Sequence, residues 1–237
     1  MIWENILTFS YVNAWIIVFL PLVAFVLIVF DGFTEKVFLK EIFPNKKAAA
    51  SLVIGATALG FIQSSFIFLY SLTYQVSYTK AFEWIKVKDF SVTMGWTIDN
   101  LSIIMLLIVT FISMLIQIYT HGYMDYDKGY KRFYAYLALF NFSMLGLVLS
   151  TNLIQMYIFW ELVGVCSYFL IGFWFDRPSA AKAAKKAFVI NRIGDSIFLI
   201  GIVSLLFFTL ETWIQNGYQL LSFQHLEKVI DTTTIAI

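Results

Sequence analysis

The sequence predicts an all-α polytopic membrane protein with six transmembrane helices, and three observations carry that expectation. Of the 237 residues, 60% are hydrophobic and only 13% are charged, against roughly 45–50% apolar and 25% charged residues in a soluble domain. Six segments, 12–30, 48–72, 100–119, 133–150, 153–175 and 187–210, approach or exceed the about 20 mostly apolar residues that cross a roughly 30 Å hydrocarbon core. None alternates over about ten residues, as the strands of a membrane barrel do.

The tail before the first span lacks a basic region and a small-residue cleavage site, so that span reads as retained and not as a signal peptide. After the second span, Tyr78 to Trp96 alternates apolar and polar residues around Lys88-Asp89, the pattern of a short hairpin. The hairpin is expected on the outer surface, closing a first unit of residues 1–98. The third span opens at Asp99, followed by Asn100 and Ser102, which suits capping at the positive end of the helix dipole. With its loop it forms residues 99–132. The loop segment HGYMDYDKGYKRFYAY is rich in Tyr, as an interfacial aromatic belt is, and His121 within it reads as a solvated surface histidine. Spans four to six fill residues 133–210, and the polar tail 211–237 is expected to leave the membrane without a further span.

Orientation follows from the basic residues between spans. The loops after spans one, three and five hold Lys36, Lys40, Lys46, Lys47, Lys128, Lys131, Arg132, Arg177, Lys182, Lys185 and Lys186, against Lys80, Lys86, Lys88 and Lys228 on the other side. This puts the odd-numbered loops in the cytoplasm and the N-terminus outside. Cys166 is the sole cysteine, which excludes an internal disulfide and a cysteine cluster for zinc or iron–sulfur. The two histidines, His121 and His225, are far apart in sequence, so no metal constellation is visible. A net charge of +1 argues against nucleic acid as a partner.

Three ionisable residues interrupt the apolar spans. Glu161 lies nine residues into the fifth span and fourteen from its end, or about 14 and 21 Å by helix rise, so its carboxyl is near the midplane and cannot snorkel out. Such a group costs roughly 2.5–3.5 kcal/mol to insert and is by default a functional candidate. Balanced between desolvation and a nearby cation, it can load and release a proton. The structural alternative is a permanently protonated packing residue that fixes helix register. Helical spacing puts Tyr157, Gly164 and Tyr168 on the same side, with Gly164 admitting a neighbouring helix or a water file.

In the sixth span Asn191, Arg192, Asp195 and Ser196 share one face, so Arg192 and Asp195 are spaced to neutralise each other within the helix. That pair alone would permit insertion. Lys182, Lys185 and Lys186 set orientation or form a cytoplasmic proton inlet. Cys166 and the many Met and Phe side chains read as packing.

The strings WTIDNLSIIMLLIVTF, HGYMDYDKGYKRFYAYLALFNFSMLGLVLS, NLIQMYIFWELVGVCSYFLIGFWF and KAFVINRIGD resemble the antiporter-like subunit of respiratory complex I called subunit 5, L or F, over about Trp96 to Leu210. Multisubunit Mrp-type sodium/proton antiporters are similar over the same region. The resemblance implies that Glu161 is the key fifth-helix glutamate of a proton half-channel. It puts Arg192 and Asp195 at the sixth-helix arginine and aspartate, near the adjacent antiporter-like subunit. It further implies a fold of two inverted five-helix repeats, of which spans four to six open the first, and no cofactor in this chain, FMN and iron–sulfur clusters belonging to partner subunits. The expected partners are the other membrane-arm subunits and the lipid bilayer. The expected location is a bacterial plasma (inner) membrane, with a thylakoid or organelle membrane as the alternative.

Family members are more than twice as long, and the glutamate's lysine partner on the seventh helix would follow Ile237. A chain ending there is expected not to translocate protons alone. The expected function is a proton-translocating subunit of an NADH- or ferredoxin-driven quinone oxidoreductase. The alternatives are a subunit of an Mrp-type cation/proton antiporter and a truncated structural fragment.

Overall fold

The computed structural model describes residues 9–38, 46–74, 77–87, 90–215 and 220–236. The first eight residues, Lys40, the Lys88-Asp89 hairpin tip and Ile237 lie outside the described residues, as does the side chain of Lys36. Six long helices fall where the apolar segments predict them: α1 (Trp15–Phe38), α2 (Lys46–Ser71), α3 (Asn100–Tyr123), α4 (Tyr130–Val148), α5 (Leu153–Ile171) and α6 (Pro178–Gln215). Between α2 and α3 runs an antiparallel hairpin of β1 (Tyr78–Val87) and β2 (Phe90–Ile98), and α7 (Phe223–Ala236) follows α6.

Among the described residues five helices are long and apolar enough to cross a membrane; α4 is the one of the six outside that set. Its first turn carries Tyr130, Lys131 and Arg132 and its interior Asn141 and Ser143, so its mean hydropathy falls although it packs in the centre of the bundle. The 38-residue α6 begins earlier than expected, at Pro178, a residue whose fixed φ suits the first helical position. Lys182, Lys185 and Lys186 therefore stand on helix and not in a loop. At 14 residues, or about 21 Å by helix rise, α7 is short of a crossing.

Helices α1 to α4 form one bundle, with α1 against α2 and α4, and α2 against α3; α5 lies on α4, α6 on α5, and α7 on the end of α6. Its core has two halves. At the end where the basic loops gather, Ala24, Ala49, Ala50, Ala135 and Ala138 surround Tyr130 and Tyr134, and such small residues let helix backbones approach closely where lipid removes any hydrophobic drive. At the hairpin end, Ile17, Ile67, Ile98, Leu106 and Leu145 interlock.

The hairpin is fixed to the bundle by specific bonds. Gly95 lies so close to β1 that an added Cβ would sit 2.0 Å from the Lys80 carbonyl oxygen, so no larger residue fits. Its outward amide donates to Gln155 Oε1 at 3.1 Å, and its carbonyl accepts from Gln155 Nε2 at 2.8 Å. Asn152 Nδ2 donates to the Thr93 carbonyl at 2.6 Å, while its own Oδ1 caps α5 by accepting from Gln155 N at 2.8 Å. Asp99 caps α3 as its spacing predicts: Oδ1 accepts from Ser102 N at 2.7 Å and Ser102 Oγ accepts from Asp99 N at 2.7 Å, a reciprocal capping box.

Candidate functional site

The three predicted residues meet where α5 crosses α6. Glu161 is mostly covered, its side chain 18% exposed, and both carboxylate oxygens are bonded. Tyr157, one turn earlier on α5, donates its hydroxyl to Oε1 at 2.7 Å. Arg192 of α6 donates from Nη1 to Oε2 and forms an ion pair with it. The Arg192 guanidinium also stands 4.8 Å over the Phe188 ring, which packs on Tyr168 of α5. These contacts favour the planar guanidinium of Arg over the point charge of Lys.

The i, i+3 spacing predicts an Arg192–Asp195 pair within α6; the structure instead sends each residue across to α5. Asp195 is buried, 6% exposed, and its Oδ1 accepts from the indole Nε1 of Trp160 at 2.8 Å. The reason is geometric. Trp160 and Glu161 are consecutive on α5, and Arg192 and Asp195 one turn apart on α6, so one helix contact serves both acids with separate donors. Sequence reasoning put Tyr157 on the right side of the helix but missed Trp160, because an indole among apolar neighbours reads as packing. The signal was its position one residue before the buried glutamate.

A cavity of about 480 Å³ opens beside this contact, between α4, α5 and α6, lined in part by Trp160, Gly164, Ser167, Asn191, Gly194 and Asp195. An added Cβ at Gly164 or Gly194 would meet nothing within 4 Å, so the absence of side chains there keeps the space open. Glu161 is not among the lining residues; the cavity reaches Asp195. The Gly164 side is open to a neighbouring helix or to water, and the open space reaches Asp195 and not Glu161.

Three of the basic side chains at the basic end are tied to carboxylates. Lys46 and Lys47 each hold Asp125 at 3.4 Å. Desolvation raises the Asp125 pKa, but Lys47 and Lys46 together outweigh it and hold the carboxyl below its usual range. Asp127 is held low chiefly by the indole of Trp174, which donates to it at 2.8 Å, and by the Gly129 amide at 2.6 Å. Lys131 pairs at 3.2 Å with Asp31, whose side chain is fully buried. His121 is not simply solvated: its Nδ1 lies 2.8 Å from the Tyr130 hydroxyl. Among the described residues no three His, Cys, Asp or Glu side chains gather as a metal site, and the buried thiol of Cys166 accepts from Ser143 Oγ at 3.7 Å.

Residues 84–134 match the family described as NADH-Ubiquinone oxidoreductase (complex I), chain 5 N-terminus. Residues 150–237 match NADH:quinone oxidoreductase/Mrp antiporter, TM. NAD(P)H-quinone oxidoreductase chain 5 of Synechocystis sp. is 46% identical over 200 residues, 82% of this chain and 28% of that one. The chloroplastic subunit 5 of Cryptomeria japonica is 43% identical over 233 residues, 96% of this chain and 29% of that one. The chain thus spans less than a third of the length of these relatives. A chain of the membrane-bound sulfane sulfur reductase, an archaeal respiratory membrane complex, superposes with a TM-score of 0.67 at 16% identity, over 83% of this chain and 37% of that one. That likeness speaks for fold alone.

Proposed function

This chain belongs to the antiporter-like subunit 5 family of complex I, of which it matches the N-terminal part, and from that premise we propose that it is a proton-translocating membrane subunit of an NADH- or ferredoxin-driven quinone oxidoreductase. The observation that carries the proposal is Glu161, an acid within an apolar helix, held between the Tyr157 hydroxyl and the Arg192 guanidinium. Flavin and iron–sulfur chemistry belongs to partner subunits; the work of this chain is electrostatic. A charge displacement arriving along the membrane arm draws the cation away from Glu161, and the carboxylate, no longer compensated, takes up a proton. Return of the cation expels it. Arg192 is paired with the carboxyl in the resting arrangement, and Tyr157 orients it. Asp195, secured by Trp160 at the edge of the open cavity, is the second acid through which the neighbouring antiporter-like subunit is coupled.

The test is Glu161→Gln in the full-length polypeptide in its native membrane. Quinone reduction is expected to continue while protons moved per electron fall; an unchanged ratio overturns the proposal. A second reading, a cation/proton antiporter subunit without a redox partner, rests on the match of residues 150–237 to a family that includes Mrp antiporters. Deletion that abolishes sodium tolerance and leaves NADH-linked pumping intact would favour it.

A further inference from the structure

A second crevice, of about 260 Å³, lies at the basic end between α4, α5 and α6. Two cations line it, Arg132 of α4 and Lys185 of α6, and no carboxylate does. Its floor is the close approach of Gly172 to Ala184, where an added Cβ on the glycine would sit 3.1 Å from the alanine methyl. Tyr136 and Phe169, stacked at 5.1 Å, supply an apolar wall.

Among the described residues neither of these two cations is neutralised by a carboxylate within ion-pair distance. The Arg132 guanidinium carbon stands 5.0 Å from the ring centres of both Phe173 and Phe175, and one nitrogen reaches the Phe173 carbonyl at 3.5 Å. The acid nearest in sequence, Asp127, already accepts from Trp174 and Gly129. Among the described residues neither Arg132 nor Lys185 forms an ion pair, whereas Lys46, Lys47 and Lys131 all do. A guanidinium close to two rings beside an exposed ammonium matches a phosphodiester, to which Arg bonds in bidentate fashion and Lys adds point charge. Phe169 and Phe175, both in the crevice lining, are exposed on its apolar side, a surface of the kind acyl chains cover.

We propose that this crevice binds the headgroup phosphate of an anionic phospholipid, with Arg132 and Lys185 on the phosphate and the acyl chains lying along α4 and α5. Basic pockets between transmembrane helices are suited to such headgroups. The site is separate from Glu161 and does not depend on the proton-translocation proposal.

The experiment uses the full-length polypeptide, with the chains that accompany it, extracted in mild detergent, stripped of loose lipid and offered phosphatidylglycerol or phosphatidylcholine. Retained lipid is counted by mass spectrometry. The expected result is selective retention of phosphatidylglycerol, weakened about fivefold for each cation removed, from about 1 kcal/mol per basic residue at a lipid surface. Lys185→Gln tests one cation at an exposed position where folding is not at stake, and Arg132→Gln with Lys185→Gln tests both. Lys182→Gln with Lys186→Gln removes as much charge from the same helix and is expected to change nothing. Equal retention in wild type and Lys185→Gln overturns the proposal. So does displacement of the lipid by millimolar inorganic phosphate that is itself retained, which would mark a free-anion site. Density for later residues of the same polypeptide in the crevice, in a structure of the intact assembly, also overturns it.

Discussion

Replacing Gln155 by Leu removes the carboxamide that ties the hairpin to α5 and keeps nearly the same volume. Two bonds to Gly95 are lost, at 3.1 and 2.8 Å, and two from Thr151, from its hydroxyl at 3.0 Å and its amide at 3.5 Å. A buried backbone group left unpaired costs about 1–3 kcal/mol. Gly95 is only half-buried, so water recovers part of the loss and the low end applies to each group. The total is then about 2 kcal/mol, or roughly thirtyfold in the docked-to-undocked ratio of the hairpin. Limited proteolysis of β1 and β2 in the liposome-embedded protein reads that ratio, and thermal unfolding in detergent reads the accompanying stability. Cleavage and melting both unchanged in Gln155→Leu would refute the reasoning: the hairpin would then be held by the Asn152 side chain and the Thr97–Leu149 backbone bond without help from Gln155.

Gly146→Leu is expected to destabilise by about 1–3 kcal/mol through overpacking, since an added Cβ falls 2.2 Å from the Phe159 ring; Phe159→Ala in the same chain should restore most of the lost melting temperature, and a wild-type melt for the single variant would contradict the close α4–α5 contact. Trp160→Phe keeps the ring but leaves buried Asp195 without its indole donor, at about 1–3 kcal/mol. A double-mutant cycle with Asp195→Leu should give a coupling energy of at least about 1 kcal/mol, and strict additivity would dissolve the pair. The depressed pKa of Asp127 makes its bonds stabilising above its ordinary value of 3.8, with the contribution lost as pH falls through that value toward the folded one. Trp174→Phe removes the largest cause, so acid-induced opening of the α3–α4 loop, followed by protease cleavage, should begin at higher pH; an identical acid profile would remove the indole from the account.

Apolar length made the helices legible, and Asp99 with Ser102 made the start of α3 legible, because those signals are local. The site was legible as a list of residues, since charge inside an apolar span is conspicuous wherever it occurs. Its pairing was not. Periodicity within α6 fixes which residues share a face but not what the neighbouring helix presents, so Arg192 and Asp195 looked like partners when α5 offered each a better one. The same limit hid the Lys131–Asp31 pair, whose members are distant in sequence, and the roles of Asn152, whose side chain caps its own helix and grips a strand at once, and of Gln155, which grips the same strand. The extension of α6 back to Pro178 was missed because basic residues read as loop where a helix is still running beyond the apolar zone.

The bonds between Gln155 and Gly95 join residues 60 positions apart, and α3 and α4 lie between them. During synthesis the two strands can pair with each other as soon as they emerge, but their bonds to Asn152 and Gln155 cannot form until α3, α4 and the start of α5 have followed. The contact that steadies the glutamate-bearing helix in the finished protein is thus made only once that helix is in place.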